Sequence, residues 1–326
     1  MNSSPLNHPL LLPAIELPKP RKAHLKMQTG LNIHPDVMQA IKSNRPVAAL
    51  ESTIISHGLP RPRNMQAAQK FEEILRAAGV TPATVAVIEG VPTVGLTQEQ
   101  LELIANQDIP KASVRDLPIL AAKKLSGATT VAATAHLAAR AGVKVFATGG
   151  LGGVHRGASE TFDESADIST LAQTPIVVVS AGVKSVLDIS ATLERLETLS
   201  IPVVGYKTKT FPSFWLPSSP FTLDWQADNP QEISEIFKAQ RQSQSSSALV
   251  VANPVPTEKA WEKSEHDAVL AQAFKAADEA GVRGKEVTPF LLQYIVEASK
   301  GKSLEVNLEL AMNNVRLAAE IAKALA

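Results

Sequence analysis

The stretch Ile176-Val-Val-Val-Ser180-Ala-Gly-Val-Lys184, followed by a helical period over Ser185–Leu199 and the run Pro202-Val-Val-Gly-Tyr206, decides the fold. A near-pure β run without alternation is what a strand covered on both faces shows. The helix and second apolar run behind it complete a β-α-β unit. Joining two strands through a crossover helix makes them parallel.

The same grammar extends outward. Val47–Leu50, Thr84–Ile88, Val143–Thr148 and Ala248–Asn253 read as further strands. A helix is expected over Met65–Ala78, with Asn64 as its cap, Ala68, Phe71, Ile74 and Leu75 at spacings of three and four, and Gly79 as its stop. Thr97-Gln-Glu-Gln is a capping box for a helix ending near Asn106. Helices are also expected near Leu117–Leu125 and Thr134–Ala141, and the C-terminal third reads as helical over Glu258–Ala280, Pro289–Ser299 and Leu304–Ala326. The polar run Ser243–Ser247 reads as a surface loop. The expected class is α/β: a single α/β/α domain over residues 31–326, with a largely parallel sheet flanked by helices. Residues 1–30 carry Pro5, Pro9, Pro13, Pro18 and Pro20 and only one acid, Glu16, which predicts a disordered extension. An organelle transit peptide is the competing reading of that acid-poor segment.

Composition excludes whole classes of function. The chain has 326 residues with 32 basic and 32 acidic side chains, so it lacks the basic excess of a general nucleic-acid binder. Aromatics are 4%, too few for base-stacking platforms along a groove. The absence of cysteine removes disulfides, thiolate metal sites and cysteine nucleophiles. No apolar run approaches membrane-spanning length. A soluble, cytoplasmic protein is expected, with no nucleic-acid or membrane partner.

Ligands of parallel sheets bind beyond the carboxyl ends of strands, which points to Glu51–Pro60, Glu89–Thr93, Thr148–Asp167, Ser180–Lys184 and Asn253–Pro256. The richest loop is Thr148-Gly-Gly-Leu-Gly-Gly-Val-His-Arg-Gly157. Its glycines allow backbone N–H groups to approach an anion, and His155 and Arg156 add donors, so a phosphate cradle competes with a merely flexible loop. Behind it, Asp163, Glu164 and Asp167 offer hard ligands for Mg²⁺ or Mn²⁺, or else a solvated acidic face. Lys184 precedes a helix expected to start at Ser185, where the dipole favours an uncharged amine. Such a lysine is either a Schiff-base nucleophile or simply solvated. Glu51 ends a buried strand, where a carboxylate is costly unless it is partnered or acts as a general acid or base.

These residues, with Ala49-Leu-Glu-Ser-Thr-Ile-Ile-Ser-His-Gly58, Ala181-Gly-Val-Lys-Ser-Val-Leu-Asp188, Asn253-Pro-Val-Pro256, Val287-Thr-Pro-Phe-Leu-Leu292 and Asn313-Asn314, closely resemble the pseudouridine-5'-phosphate glycosidases from about residue 32 to the C-terminus. The resemblance implies a homotrimer that reversibly cleaves the C–C glycosidic bond of pseudouridine 5'-phosphate to uracil and ribose 5-phosphate, with Mn²⁺ as cofactor. It implies Lys184 as the imine-forming lysine and Glu51 as the proton-transferring group. It further implies Asp163 as the metal ligand and Lys111, Thr130, Val131, Ser165, Ala166 and Asp167 as substrate-binding positions, with Asn307 reading the uracil edge. Thr148, Gly149, His155 and Arg156 fall in the family's phosphate region. Val183 stands where the family commonly has alanine, and Ser213–Gln226 diverges from its pattern. An aldolase-like lyase acting on a sugar phosphate would share the lysine and the cradle. A non-enzymatic nucleotide sensor would use Lys184 only as a phosphate partner.

Overall fold

The computed structural model describes residues 30–283 and 287–326. The extension expected over residues 1–30 lies outside them, apart from Gly30. Among the described residues eleven strands form one sheet: β1 (Asn32–Ile33), β2 (Val47–Leu50), β3 (Thr81–Ile88), β4 (Val91–Val94), β5 (Lys111–Ala112), β6 (Gly127–Thr129), β7 (Val145–Ala147), β8 (Val177–Ser180), β9 (Val203–Tyr206), β10 (Gln226–Ala227) and β11 (Leu249–Ala252). The order is β1-β4-β3-β2-β7-β8-β11-β9-β10, with β6 also on β3 and β5 on β6. From β3 through β2, β7, β8, β11 and β9 to β10 every pairing is parallel. Strands β2, β7, β8 and β11 are buried along their whole length, as their unalternating apolar sequences require.

The sheet departs from expectation at one edge, where β4 and β6 both pair antiparallel with β3. Glu89 and Gly90 take φ of 49° and 83°, the two consecutive positive angles of a tight hairpin. A Cβ on Gly90 would lie 2.9 Å from Lys124 Cα. Glu89–Thr93 is therefore a hairpin turn and the strand it feeds, and not a ligand loop.

Helices cover both faces. Two expected boundaries moved for identifiable reasons. The helix Arg63–Ala77 starts before Asn64, whose buried amide donates to Ile55 O (3.0 Å) and Ala105 O (2.8 Å) and so ties neighbouring segments instead of capping its own helix. The helix expected from Ser185 begins at Ile189, because Val186 and Leu187 are drawn into the core and Asp188 accepts from Ala191 N at 2.9 Å as the cap. Pro230–Gln242 is a helix that the sequence reading passed over. The capping box of Thr97 and Gln100 forms as expected.

The C-terminal helix Lys302–Leu325 lies across β2, β7 and β8. Its buried Asn314 donates to Thr148 O (2.7 Å) and Gly149 O (3.3 Å) and accepts from Asn253 Nδ2 (2.9 Å), while Asn313 donates to Pro254 O (3.0 Å). The paired asparagines clamp the ends of β7 and β11. Among the described residues no helix is long and apolar enough to cross a membrane.

Candidate active site

Three adjacent parallel strands deliver three polar groups to one rim of the sheet. Glu51 follows β2, Thr148 follows β7, and the Ala181–Lys184 turn follows β8. The Thr148 and Thr53 hydroxyls each donate to one oxygen of the Glu51 carboxylate. Glu51 is half-buried beside a small crevice lined by Leu50, Ile54, Thr148, Gly149 and Ala311.

The glycine loop is laced to the Lys184 turn. Leu151 N donates to Gly182 O (2.9 Å) and Lys184 N donates to Leu151 O (3.2 Å). This short ladder fixes the backbone of Lys184 without a helix end beneath it. The helix expected to start at Ser185 begins instead at Ile189, five residues beyond Lys184. The neighbouring charges are instead those of other loops. Lys111, on β5, is exposed as a residue, yet burial around its ammonium and the nearby Lys184 ammonium lower its pKa. Asp167 and Glu51 oppose that shift, so side chains from positions 51, 111, 167 and 184 share one electrostatic neighbourhood.

The glycine loop itself is less open than an anion nest. The N–H groups of Leu151, Gly152, Val154 and His155 already donate within the protein. Glycine is required at position 152 for close approach, because a Cβ there would lie 2.7 Å from both Asp167 Oδ2 and Ser165 Cβ. Asp167 is buried, and its carboxylate accepts from Gly152 N (2.8 Å) and Ala132 N (2.9 Å). It thereby joins the loop to the first turn of the helix Val131–Ala141, where Thr130 is the cap and Val131 is buried. Ser165 caps the short helix Ala166–Leu171 by accepting from Asp167 N at 3.2 Å. Asp167→Ala is expected to strand both N–H groups at about 1–3 kcal/mol each, read as a fall in Tm. Restoration of most of that loss by Asp167→Asn is not expected, because an amide offers one acceptor oxygen where two are used.

The acidic trio does not stay together. The Glu164 carboxylate pairs with Arg195. Asp163 lies 3.8 Å from His155 Nδ1. Burial lowers the His155 pKa, Asp163 raises it, and Lys111 and Lys184 lower it. Among the described residues no group of three His, Asp or Glu side chains gathers as metal ligands. One carboxylate beside one imidazole still fits a Mn²⁺ ion that keeps water and takes substrate oxygens for its remaining positions. Arg156 lies over the Phe274 ring at 4.2 Å, facing the helix Lys263–Glu279. Asn307, on the C-terminal helix, accepts from Trp215 Nε1 at 2.8 Å.

Sequence reasoning assigned no role to His57, Thr53, Asn253, Asn314 or Trp215. Burial lowers the His57 pKa and Lys111 lowers it further, which sets this histidine near Lys111. The clustering of His57 and Thr53 with Glu51 in a single ten-residue motif was the available signal.

Comparison with known proteins gives a consistent picture. Residues 36–324 match the family model described as indigoidine synthase A like protein. A pseudouridine-5'-phosphate glycosidase of Saccharopolyspora erythraea is 55% identical over 295 residues, covering 90% of this chain and 97% of that protein. The enzyme of that name from Escherichia coli is 49% identical over 295 residues, covering 90% and 95%. Among solved structures, the prealnumycin C-glycosynthase AlnA in complex with ribulose 5-phosphate superposes with a TM-score of 0.85 at 33% identity, covering 90% of this chain and 96% of its own. An indigoidine synthase A-like protein from Thermotoga maritima gives 0.81 at 36% identity, covering 90% and 95%.

Proposed function

The chain belongs to the indigoidine synthase A-like family, that of the pseudouridine-5'-phosphate glycosidases, and on that premise we propose that it cleaves the C–C glycosidic bond of pseudouridine 5'-phosphate to uracil and ribose 5-phosphate. The observation that carries the reading is the shared neighbourhood of Lys184, Lys111, Glu51 and Asp167 at the carboxyl ends of β2, β7 and β8.

An O- or N-glycosidase protonates a lone pair on the leaving atom and stabilises an oxocarbenium ion. Carbon C5 of the base has no such lone pair, so the bonding electrons need another route. Lys184 Nζ adds to C1' as the C1'–O4' bond breaks; the nitrogen gives up a proton, O4' takes one to become a hydroxyl, and the ribose ring opens. The amine lone pair then forms the C1'=N bond of an imine while the C1'–C5 bond breaks. The electrons of that bond take a proton at C5, which Glu51 supplies, and uracil leaves. Water hydrolyses the imine, frees Lys184 and releases ribose 5-phosphate.

Lys111 supplies positive charge for the sugar phosphate, with Thr148, Gly149, His155, Arg156, Ser165 and Ala166 on the surrounding loops. Asn307 reads the base, and Thr130 and Val131 border it. Asp163 would hold Mn²⁺, which when bound neutralises ligand oxygens. The working assembly is a homotrimer. The AlnA complex, a C-glycosynthase with ribulose 5-phosphate bound, supports the substrate class.

Incubation with pseudouridine 5'-phosphate and Mn²⁺ is expected to release free uracil, and borohydride is expected to trap a sugar-phosphate adduct on Lys184. An adduct without uracil release would point to an aldolase-like lyase, and neither would leave a binding protein. Asp163→Ala is expected to require much more Mn²⁺ for half-maximal activity, because the site loses its carboxylate. An unchanged Mn²⁺ titration would remove Asp163 from the metal site.

A further inference from the structure

Trp215 is buried, at 1% exposure. Its ring packs against Trp261 (5.6 Å, 77°), His266 (5.9 Å) and Phe214 (5.1 Å), and Trp261 N donates to Trp215 O at 3.1 Å. The same strap is fastened to the nucleophile's turn. Phe214 N donates to Ala181 O (3.0 Å), and Ser185 Oγ donates to Ser213 O (2.8 Å). The strap therefore holds Lys184 at one end and meets Asn307 at the other.

The contact with Asn307 carries chemical information. An indole N–H is a donor only, so the amide atom 2.8 Å from Trp215 Nε1 must be the oxygen. The amide is planar, so turning its oxygen toward the indole turns its nitrogen away from it. Asn307 is half-buried.

Resting on the reading of Asn307 as the residue that meets the base, we propose that Trp215 is a positioning residue that fixes Asn307 as a hydrogen-bond donor, selecting a base carbonyl over a base amino group. A free asparagine side chain reads either partner by flipping, and this one is held to a single answer. A base with an amino group at that position would meet two donors face to face, and an unmade buried hydrogen bond discriminates strongly.

Trp215→Phe keeps an aromatic ring in the cluster while it removes the N–H together with the second ring of the indole. Its KM for pseudouridine 5'-phosphate is expected to rise by about two- to twelvefold, the value of one ordinary hydrogen bond. The kcat is expected to stay near that of the parent, because orientation of a remote base edge is uniform binding. Asn307→Ala should raise KM at least as much, and the double variant should be no worse than Asn307→Ala alone, because no amide remains to orient. Additive effects, or an unchanged KM in Trp215→Phe, overturn the proposal. An unchanged KM in Asn307→Ala would instead defeat the base-reading role itself. Should Trp215→Phe fail to fold, Asn307→Asp decides: it still accepts from the indole but offers the base an oxygen, so it should bind more weakly than Asn307→Ala. Binding equal to that of the parent enzyme would overturn the assignment.

Discussion

Lys184→Ala is expected to bind pseudouridine 5'-phosphate and release almost no uracil. The substitution removes the only atom in the proposed route that gives the C1' carbon a bond to nitrogen, and with it the electron sink. Loss of a member of a covalent catalytic set costs on the order of 10⁴–10⁶-fold in kcat. The surrounding backbone should be unaffected, because Lys184 is held by its N–H to Leu151 O at 3.2 Å and by Leu187 N on its own carbonyl at 2.9 Å, not by its side chain. Lys184→Arg is expected to be equally inactive, since a guanidinium stays protonated and cannot form the imine. Intact-mass measurement after borohydride treatment checks the assignment directly: the parent gains the mass of the reduced sugar-phosphate adduct and both variants do not. Uracil release near the parent rate from either variant would remove Lys184 from the chemistry.

Glu51→Gln is expected to separate the two halves of the reaction. Glutamine keeps the shape of the side chain, and rotation of one threonine hydroxyl from donor to acceptor allows both Thr148 and Thr53 to remain partnered. The variant should fold and melt close to the parent. It has no proton to exchange with C5, so ring opening and attachment to Lys184 survive in part while the base stays on. The expected result is an adduct that accumulates, with uracil release slowed by about 10²–10⁴-fold. A purely structural Glu51 predicts the reverse pattern, a lower Tm with normal turnover per folded molecule. Mass spectrometry of the variant with substrate, beside a melting curve, tells the two apart.

Parts of the site were legible before any fold was drawn, and the reasons differ by residue. Glu51 and Lys184 stand immediately beyond apolar runs that only a buried parallel strand explains, so the topology rule alone carries them to one rim. Gly152 and Asp167 were legible as types but not as partners. The glycine-rich loop read as an open anion cradle, whereas Gly152 is glycine because the Asp167 carboxylate and Ser165 press against it. Glu164 read as part of an acidic cluster because neighbours in sequence look like neighbours in space, and Arg195, 31 positions away, takes it elsewhere. Trp215 gave no signal, since the aromatics of this proline-rich segment, Phe211, Phe214, Trp215 and Phe221, follow no period that singles one out.

The amino-acid sequence by itself determined the parallel core of β2, β7, β8, β9 and β11, the helical C-terminal third and the family, because burial on both faces forces unalternating apolar runs that survive in one dimension. Only the tertiary structure decided the antiparallel edge of β4 and β6, the start of the helix at Ile189, and the bond between Trp215 and Asn307. The pairing of β6 and the Trp215–Asn307 bond rest on contacts between residues distant in the chain, the start at Ile189 on core packing that overrides local preference at Val186 and Leu187, and the β3–β4 pairing on the local turn at Glu89-Gly90 that reads in sequence as a ligand loop. Short-range pattern carries the cost of burying a strand, but it carries no record of which distant group satisfies a given donor.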